Sequence, residues 1–242
     1  MGSKRRLAKD IAPIINNLIK EYNIQTYIEP FVGGANMMEH IDCFEKIGSD
    51  NNEYLIAMWK DLQDGWQPPK EISREMYYDV KANKDEYGKS LVAITAFCAS
   101  YNAVWFGSYA GIVKTKTGVI RNYYDESIRN ILKQIIKLHN VQFIHTDYKS
   151  YTGTKGAMIY CDPPYANQSG YKDKFDHKEF WQWVRDVSND NIVLVSEYNA
   201  PDDFECVYEK VLTTTLDKNS RSKDTERLFI YKPLHNKINN KN

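Results

Sequence analysis

The chain has 242 residues, with 32 basic and 32 acidic side chains and a formal net charge of zero. That length accommodates one large α/β domain carrying an insertion, and the neutral balance confines any face for a polyanion to a local patch. No stretch approaches the roughly 20 apolar residues of a membrane span and the first residues lack a signal-peptide core, so a cytoplasmic protein without membrane association is expected.

Leu7, Ile11, Ile14, Ile15, Leu18 and Ile19 recur at helical spacing, which predicts an opening amphipathic helix with a basic first turn. "TYIEP" and "EKIGSD" then read as two strands separated by a glycine turn and a helix, the start of a doubly wound sheet. "NNEYLIAMWKDLQDG" reads as a helix capped by Asn51 or Asn52, and Pro68 and Pro69 mark its boundary. From about Glu71 to Arg121 the pattern changes to two helix-like segments followed by "GSYAGIVKTKTGVIR", rich in glycine, aromatics and cations. "YYDESIRNILKQIIKLHN" is a strong helix with Ile128, Ile131, Leu132, Ile135 and Ile136 on one face. Three strands follow, "VQFIHTD", "GAMIYCD" and "NIVLVS", with a helix around "HKEFWQWVRDVS" between the last two. "CVYEKVL" and "RLFIYKP" predict an antiparallel hairpin whose long tip is "TTTLDKNSRSKDTE", and the polar "HNKINNKN" end is expected to fray. The fold class expected is therefore α/β: a doubly wound, mostly parallel Rossmann-like sheet that ends in an antiparallel hairpin.

Cys43, Cys98, Cys161 and Cys206 lie far apart without a Cys-x-x-Cys pair, which predicts four buried thiols rather than a disulfide framework or a zinc site. His40, His139, His145, His177 and His235 are equally scattered, so no metal is expected.

Two constellations carry chemistry. In "YIEPFVGGANMMEH", Gly33 and Gly34 directly after a strand let backbone approach a ligand, with a following helix offering unpaired N–H groups. Steric need alone explains such glycines equally well. Asp50, at the end of the second strand, stands where nucleotide-binding folds place an acid for ribose hydroxyls, and also where a helix N-cap would stand. The second constellation is Asp162-Pro163-Pro164-Tyr165 at the end of a buried strand. The prolines donate no N–H and stiffen the exit, so the Asp162 carboxylate and the Pro163 carbonyl can together accept two hydrogen bonds from one amino group. Tyr165 offers a ring face to a planar heterocycle. A Pro-Pro turn with a capping acid would explain the prolines but not acid and aromatic together.

"EPFVGG", Asp50, "HTDY" and "DPPY", in that order, resemble the Dam-type family of S-adenosylmethionine-dependent adenine-N6 DNA methyltransferases, as does the opening "MGSKRRLAKDI". The resemblance implies a catalytic site at Asp162, Pro163, Pro164 and Tyr165, and a cofactor site at Lys4, Glu29, Pro30, Phe31, Gly33, Gly34, Asp50, Asp147, Tyr148 and Asp162. Lys4 would lie at the cofactor's methionine end, and Asp147 and Tyr148 at its adenine. Family members commonly show Phe-x-Gly-x-Gly, whereas this chain has Phe31-Val32-Gly33-Gly34-Ala35; the change matters if position 35 needs a positive φ. The cofactor implied is S-adenosyl-L-methionine. The partner implied is double-stranded DNA, a cognate restriction enzyme is an admissible companion, and a monomer or weak dimer is expected.

About 125 residues separate the glycine loop from "DPPY", roughly twice what two βα units need. The surplus defines an inserted small helical domain at 67–121 within a catalytic domain of 1–66 and 122–242, at the place of the family's target-recognition domain. Asn102, Lys114, Lys116 and Arg121 are its candidate DNA contacts, beside Trp105, Phe106 and Tyr109, which serve equally well as core. Lys218, Arg221 and Lys223 are a second candidate contact, diluted by Asp217, Asp224 and Glu226, and a solvated hairpin tip explains them as well.

The reaction implied is methyl transfer to the exocyclic amine of a flipped-out adenine, with Ala166 to Asp176 closing over the base and Tyr171 or Phe175 as apolar cover. Cytosine N4, an RNA adenine, or a catalytically inactive cofactor- or DNA-binding module are the alternatives. The absence of a G-x-x-x-x-G-K-[ST] loop weighs against a nucleotide hydrolase.

Overall fold

The structure is a computed structural model that describes residues 4–115, 117–164, 175–217 and 220–239. The opening amphipathic pattern forms α1 (Arg5–Glu21), with Leu7, Ile11, Ile15 and Ile19 buried and Pro13 on its exposed side. β1 (Thr26–Glu29) and β2 (Glu45–Asp50) follow as expected. The helix expected between them is absent: residues 30–44 fold as turns with one short 3-10 turn at Met38–His40. Met37, Met38 and Ile41 are nevertheless buried in the same core as α1, which covers this part of the sheet in place of a crossover helix.

α2 (Glu53–Gln63) is capped by Asn52, whose side chain accepts from the Leu55 N–H at 3.1 Å. α3 (Arg74–Ala82) and α4 (Lys89–Cys98) are the two helix-like segments of the expected insertion. From Val92 to Cys98 every α4 residue is buried, as befits a helix apolar on all sides. α4 packs against α2, α3 and α5 (Tyr123–Ile135), and one continuous core runs from α1 through α4 to Phe106. The glycine-rich segment adds an antiparallel pair, β3 (Ile112–Lys114) with β4 (Ile120–Asn122), so the insertion is not wholly helical. Ile136 departs from the apolar face predicted for α5: the chain tightens to a 3-10 turn there and the side chain is exposed.

β5 (Val141–His145), β6 (Met158–Cys161), α6 (His177–Val187) and β7 (Ile192–Glu197) restore the α/β alternation. β8 (Phe204–Asp217) and β9 (Ser220–Tyr231) form the closing hairpin. Its ladder runs through most of the segment predicted as a loop, pairing Thr213 with Lys223 and Thr215 with Arg221; a run of β-branched threonines suits an extended strand. Where coil was expected from His235 onward, α7 (Lys232–Asn239) runs through Asn239, and residues 240–242 lie outside the described residues.

The main sheet has the order β5-β2-β1-β6-β7-β9-β8, parallel through β7, with β9 antiparallel to its two neighbours. Side-chain alternation divides two cores. Tyr27, Met158, Tyr160, Ile192 and Leu194 face α1, α2, α4 and α5, whereas Ile28, Ile159, Cys161, Val193 and Val195 face α6. Both faces of the sheet are thus covered, as a parallel sheet requires. The strand order reverses between β1 and β6, and in doubly wound sheets a ligand crevice opens at the carboxyl ends of such a strand pair. The four cysteines are free, but only Cys98 and Cys161 are buried; Cys206 is exposed on the outermost strand and Cys43 is half-buried in a turn.

Candidate active site

At that crossover, Lys4, Glu29, Phe31, Val32, Gly34, Asn36, Met37, Tyr160 and Asp162 line one cleft. β1 delivers Glu29 and β6 delivers Asp162, so acids on two neighbouring strands meet only because the strands pair, with Ile28 opposite Ile159. Glu29 follows Tyr27 at the two-residue repeat and faces the same side; the Tyr27 hydroxyl donates to Glu29 Oε1 at 2.8 Å. With 3% exposure, Glu29 is pushed up to about 8, chiefly by burial, against the Tyr27 hydrogen bond; Asp162 adds to the rise and Lys46 opposes it. Asp162 stands at about 6: burial raises it, the Lys4 ammonium 3.5 Å away lowers it, and Glu226 raises it again.

The glycine loop is held from beneath. Gly33 has φ +46°, and its N–H donates to Asp50 Oδ2 at 3.1 Å, while Asp50 Oδ1 accepts from the Asn52 N–H at 3.0 Å. Asp50 is therefore a staple between two loops and not the helix cap, and its burial raises its pKa. Trp59 of α2 donates its indole N–H to the Gly33 carbonyl at 3.0 Å. Gln134 of α5 donates to the Gly34 and Ala35 carbonyls at 2.9 and 3.0 Å. Ala35 adopts φ +51° with its side chain fully buried, so the position where the sequence departs from Phe-x-Gly-x-Gly does require the left-handed conformation. No α-helix begins after this loop, so the expected row of helix N-terminal N–H groups is not part of the site.

Of the expected cofactor residues, Lys4, Glu29, Phe31, Gly34 and Asp162 share the cleft; Pro30 is buried directly after Glu29, and Gly33 and Asp50 form the loop's base. Asp147 and Tyr148 are not among the cleft's lining residues. Asp147 caps a 3-10 turn by accepting from the Lys149 N–H at 3.0 Å, and Tyr148 is buried against Phe31, Phe180 and Trp183 with ring centroids 5.0 to 5.6 Å away. Pro163 is buried and Pro164 half-buried beside Asp162, while Tyr165 and residues 166–174 of the expected closing segment, Tyr171 among them, lie outside the described residues. Phe175 packs against Phe31 and Tyr148, centroids 5.8 and 6.0 Å apart, within that aromatic cluster.

The candidate DNA contacts are dispersed. Asn102, at φ +55°, lies in an exposed loop in which Ala103 and Phe106 also have positive φ. Lys114 is exposed on β3. Arg121 makes a two-pronged ion pair with Glu126, at 3.0 and 2.5 Å, and its guanidinium lies 4.7 Å from the Tyr123 ring centroid. Trp105 and Phe106 pack with Phe97, Tyr54 and Tyr77, which places both in the core rather than on a base-reading surface. Ile112 and Ile120, by contrast, are 69% and 72% exposed on the small hairpin. Arg221 and Lys223 lie on β9, and Lys116 and Lys218 are outside the described residues. Among the described residues no group of His, Cys, Asp and Glu could hold a metal, and no helix is long and apolar enough to cross a membrane.

Sequence reasoning missed Gln134, Trp59 and Glu226. The last had been counted with the hairpin tip, yet its carboxylate accepts from Lys4 Nζ at 2.7 Å across 222 residues of chain. No local pattern could have signalled that pairing.

A model of the D12 class N6 adenine-specific DNA methyltransferases matches residues 1–187. Among curated relatives, Type II methyltransferase M.FokI of Planomicrobium okeanokoites is 23% identical over 212 residues, which is 76% of this chain and 31% of that protein. Modification methylase StsI of Streptococcus sanguinis is 26% identical, over 72% of this chain and 29% of its own. Type II methyltransferase M.MjaIII of Methanocaldococcus jannaschii is 26% identical, over 68% of this chain and 66% of its own. The chain thus spans about a third of the length of the first two. Among solved structures, an rRNA methyltransferase, aviRa from Streptomyces viridochromogenes, aligns with 98% of this chain and 88% of its own at a TM-score of 0.45 and 8% identity.

Proposed function

Because the chain belongs to the D12 class N6 adenine-specific DNA methyltransferase family, we propose that it transfers a methyl group from S-adenosyl-L-methionine to the exocyclic amine of an adenine flipped out of duplex DNA. The observation that carries this reading is the meeting of Asp162, the first residue of Asp162-Pro163-Pro164-Tyr165, with Glu29 and Lys4 in one cleft at the strand crossover.

The residues present suit the cofactor. A carboxyl as buried as Glu29, facing a cleft, suits a ligand that is cationic at one end, and Gly34 in the cleft's lining presents no side chain to the ligand. Glu29, Phe31, Gly34 and Lys4 would hold the cofactor, which when bound supplies an electrophilic methyl on a sulfonium. Lys4, already between two acids, is the cation available to a carboxylate end of the ligand.

The adenine amine is a weak nucleophile because its lone pair is delocalised into the ring. The Asp162 carboxylate and the Pro163 carbonyl would each accept one N–H, which concentrates electron density on nitrogen and fixes its direction of attack. Pro163 and Pro164 hold that pair of acceptors rigid, since neither has an N–H to compete. With the methyl passed from sulfur to the amine nitrogen, the amine proton would leave to the Asp162 carboxylate or through it to water. Tyr165 would stack on the base. The insertion at 67–121 would read the target sequence, with Asn102, Lys114 and the exposed isoleucines of the hairpin toward the DNA.

The test is transfer of labelled methyl from S-adenosylmethionine to unmethylated duplex DNA, followed by nucleoside analysis. Label in N6-methyladenine is expected. Label in N4-methylcytosine, or only in RNA, would move the substrate to those alternatives, and cofactor binding without transfer would make the chain a binding module.

A further inference from the structure

Glu226 stands on β9, beyond the part of the chain that the family model matches, yet it reaches the cleft. We propose that Glu226 is a positioning residue that holds the Lys4 ammonium off the Asp162 carboxylate, so that the carboxylate stays open to the substrate amine. This inference rests on the methyltransferase reading for its role, though not for its geometry.

Lys4 is 9% exposed at the start of α1, so its ammonium cannot rely on water and must sit with acids. It lies 2.7 Å from Glu226 Oε2 and 3.5 Å from Asp162 Oδ1. The first is a hydrogen-bonded ion pair and the second is longer than a good hydrogen bond. Had Lys4 no second acid, it would close on Asp162 and occupy the acceptor that the amine needs. The arrangement is built on both sides. Glu226 faces Lys210 across the β8–β9 ladder, and Lys210 donates to Asp10 Oδ2 at 2.6 Å, joined there by the Tyr208 hydroxyl at 3.0 Å. α1 therefore presents a cation and an acid to an acid and a cation on the hairpin, and the two pairs fix where Lys4 can stand.

Lys4 from the start of α1 and Glu226 from β9 act on Asp162, which in turn raises Glu29 of β1 and Tyr160 and Cys161 of its own strand. Lys4 opposes the rise of the Asp162 pKa, and Glu226 reinforces it. Removal of the Glu226 charge, with Lys4 drawing closer to Asp162, lowers the Asp162 pKa twice over.

The experiment is a carbon-13 NMR titration of the full chain labelled at aspartate carboxyls, with Asp162 assigned from Asp162→Asn, alongside kcat and KM for methyl transfer. In Glu226→Gln the Asp162 midpoint is expected to fall by about one pH unit, and kcat to fall about tenfold with KM for DNA little changed. Glu226→Asp should recover most of both, and Lys4→Met should move the midpoint upward, which keeps the test open if Glu226→Gln fails to fold. A midpoint that does not move in Glu226→Gln, or that rises there, overturns the proposal even if methyl transfer is normal in the wild type. A fall in Glu226→Gln that is just as large in the Lys4→Met background overturns the positioning of Lys4, and a larger fall with Lys4 present, in a chain that transfers no methyl, upholds it and overturns the activity instead.

Discussion

The cleft at the strand crossover and the small hairpin of the insertion handle polarity in opposite ways. In the cleft, Glu29 is taken out of water and Asp162 is half-buried, the glycine-loop carbonyls are paired with Trp59 and Gln134, and Ala35 is held in a strained conformation. On the hairpin, Ile112 and Ile120 on one face and Val113 and Val119 elsewhere stand in solvent, although a two-stranded ribbon is only marginally stable by itself. The cleft spends folding free energy on buried carboxyl groups and a strained loop, features that cluster at sites of chemistry. The hairpin leaves apolar area uncovered, as a surface that completes itself against a partner does. Substitutions in the two places should therefore separate into effects on chemistry and stability in the first and on binding in the second.

The largest effect is expected at Asp162. Asp162→Asn keeps the size of the side chain but replaces one acceptor oxygen with a donor, and methyl transfer should drop by about 10² to 10³-fold in single-turnover assays. In the wild type only the ionised carboxyl is an acceptor on both oxygens, so kcat/KM should rise with pH through the Asp162 value of about 6. A flat profile between pH 5 and 7.5 would remove Asp162 from the proposed role.

Glu29→Gln sharpens the comparison from the stability side. The folded pKa of about 8 lies above the ordinary 4.5, so the folded state binds the proton more tightly than the unfolded one. The stabilisation is complete below pH 4.5 and is lost as pH rises through about 8, with a slope of at most about 1.4 kcal/mol per pH unit. Urea unfolding at pH 5.5 and pH 8.5 should show the variant gaining on the wild type by a few kcal/mol, roughly two to four, while its affinity for the cofactor falls. A constant difference between the two pH values would mean that Glu29 is already ionised in the folded protein.

On the hairpin the order of effects reverses. Ile112→Ser with Ile120→Ser should change unfolding free energy by less than about 1 kcal/mol, because both side chains are exposed. Affinity for cognate duplex DNA should weaken about tenfold, measured by fluorescence anisotropy at fixed salt. Loss of stability without loss of DNA affinity would assign these side chains to the fold.

Ala35→Gly gives the smallest effect and tests whether the loop stores strain. Relief of the left-handed backbone is worth about 1 to 2 kcal/mol, against about 0.8 kcal/mol for the buried methyl group and 0.5 to 1 kcal/mol for added chain entropy. The terms nearly cancel, so stability should move by less than about 1 kcal/mol. A loss of several kcal/mol would show that the methyl group, rather than the loop conformation, is what the site requires.

The sequence by itself determined the elements whose signal is local. The periodicity of α1 and α5, the strand ending in Asp162, the cap at Asn52 and the glycine turn at Gly33 each depend on neighbours a few residues away, and all are present. The segments misread are those where distant packing overrides composition: the polar hairpin tip that continues as strands, the tail that becomes α7, and the stretch after the glycine loop that α1 covers in place of a crossover helix. The candidate site divides in the same way. Asp162 is legible as a strand-end residue and Glu29 only through the family resemblance, but the need for a positive φ at Ala35, the carbonyl clamps of Trp59 and Gln134, and the pairing of Lys4 with Glu226 are not. Each depends on a charge or a backbone group whose partner is brought near only by the closing of the sheet, and such pairings follow from the strand order, which local periodicity does not encode.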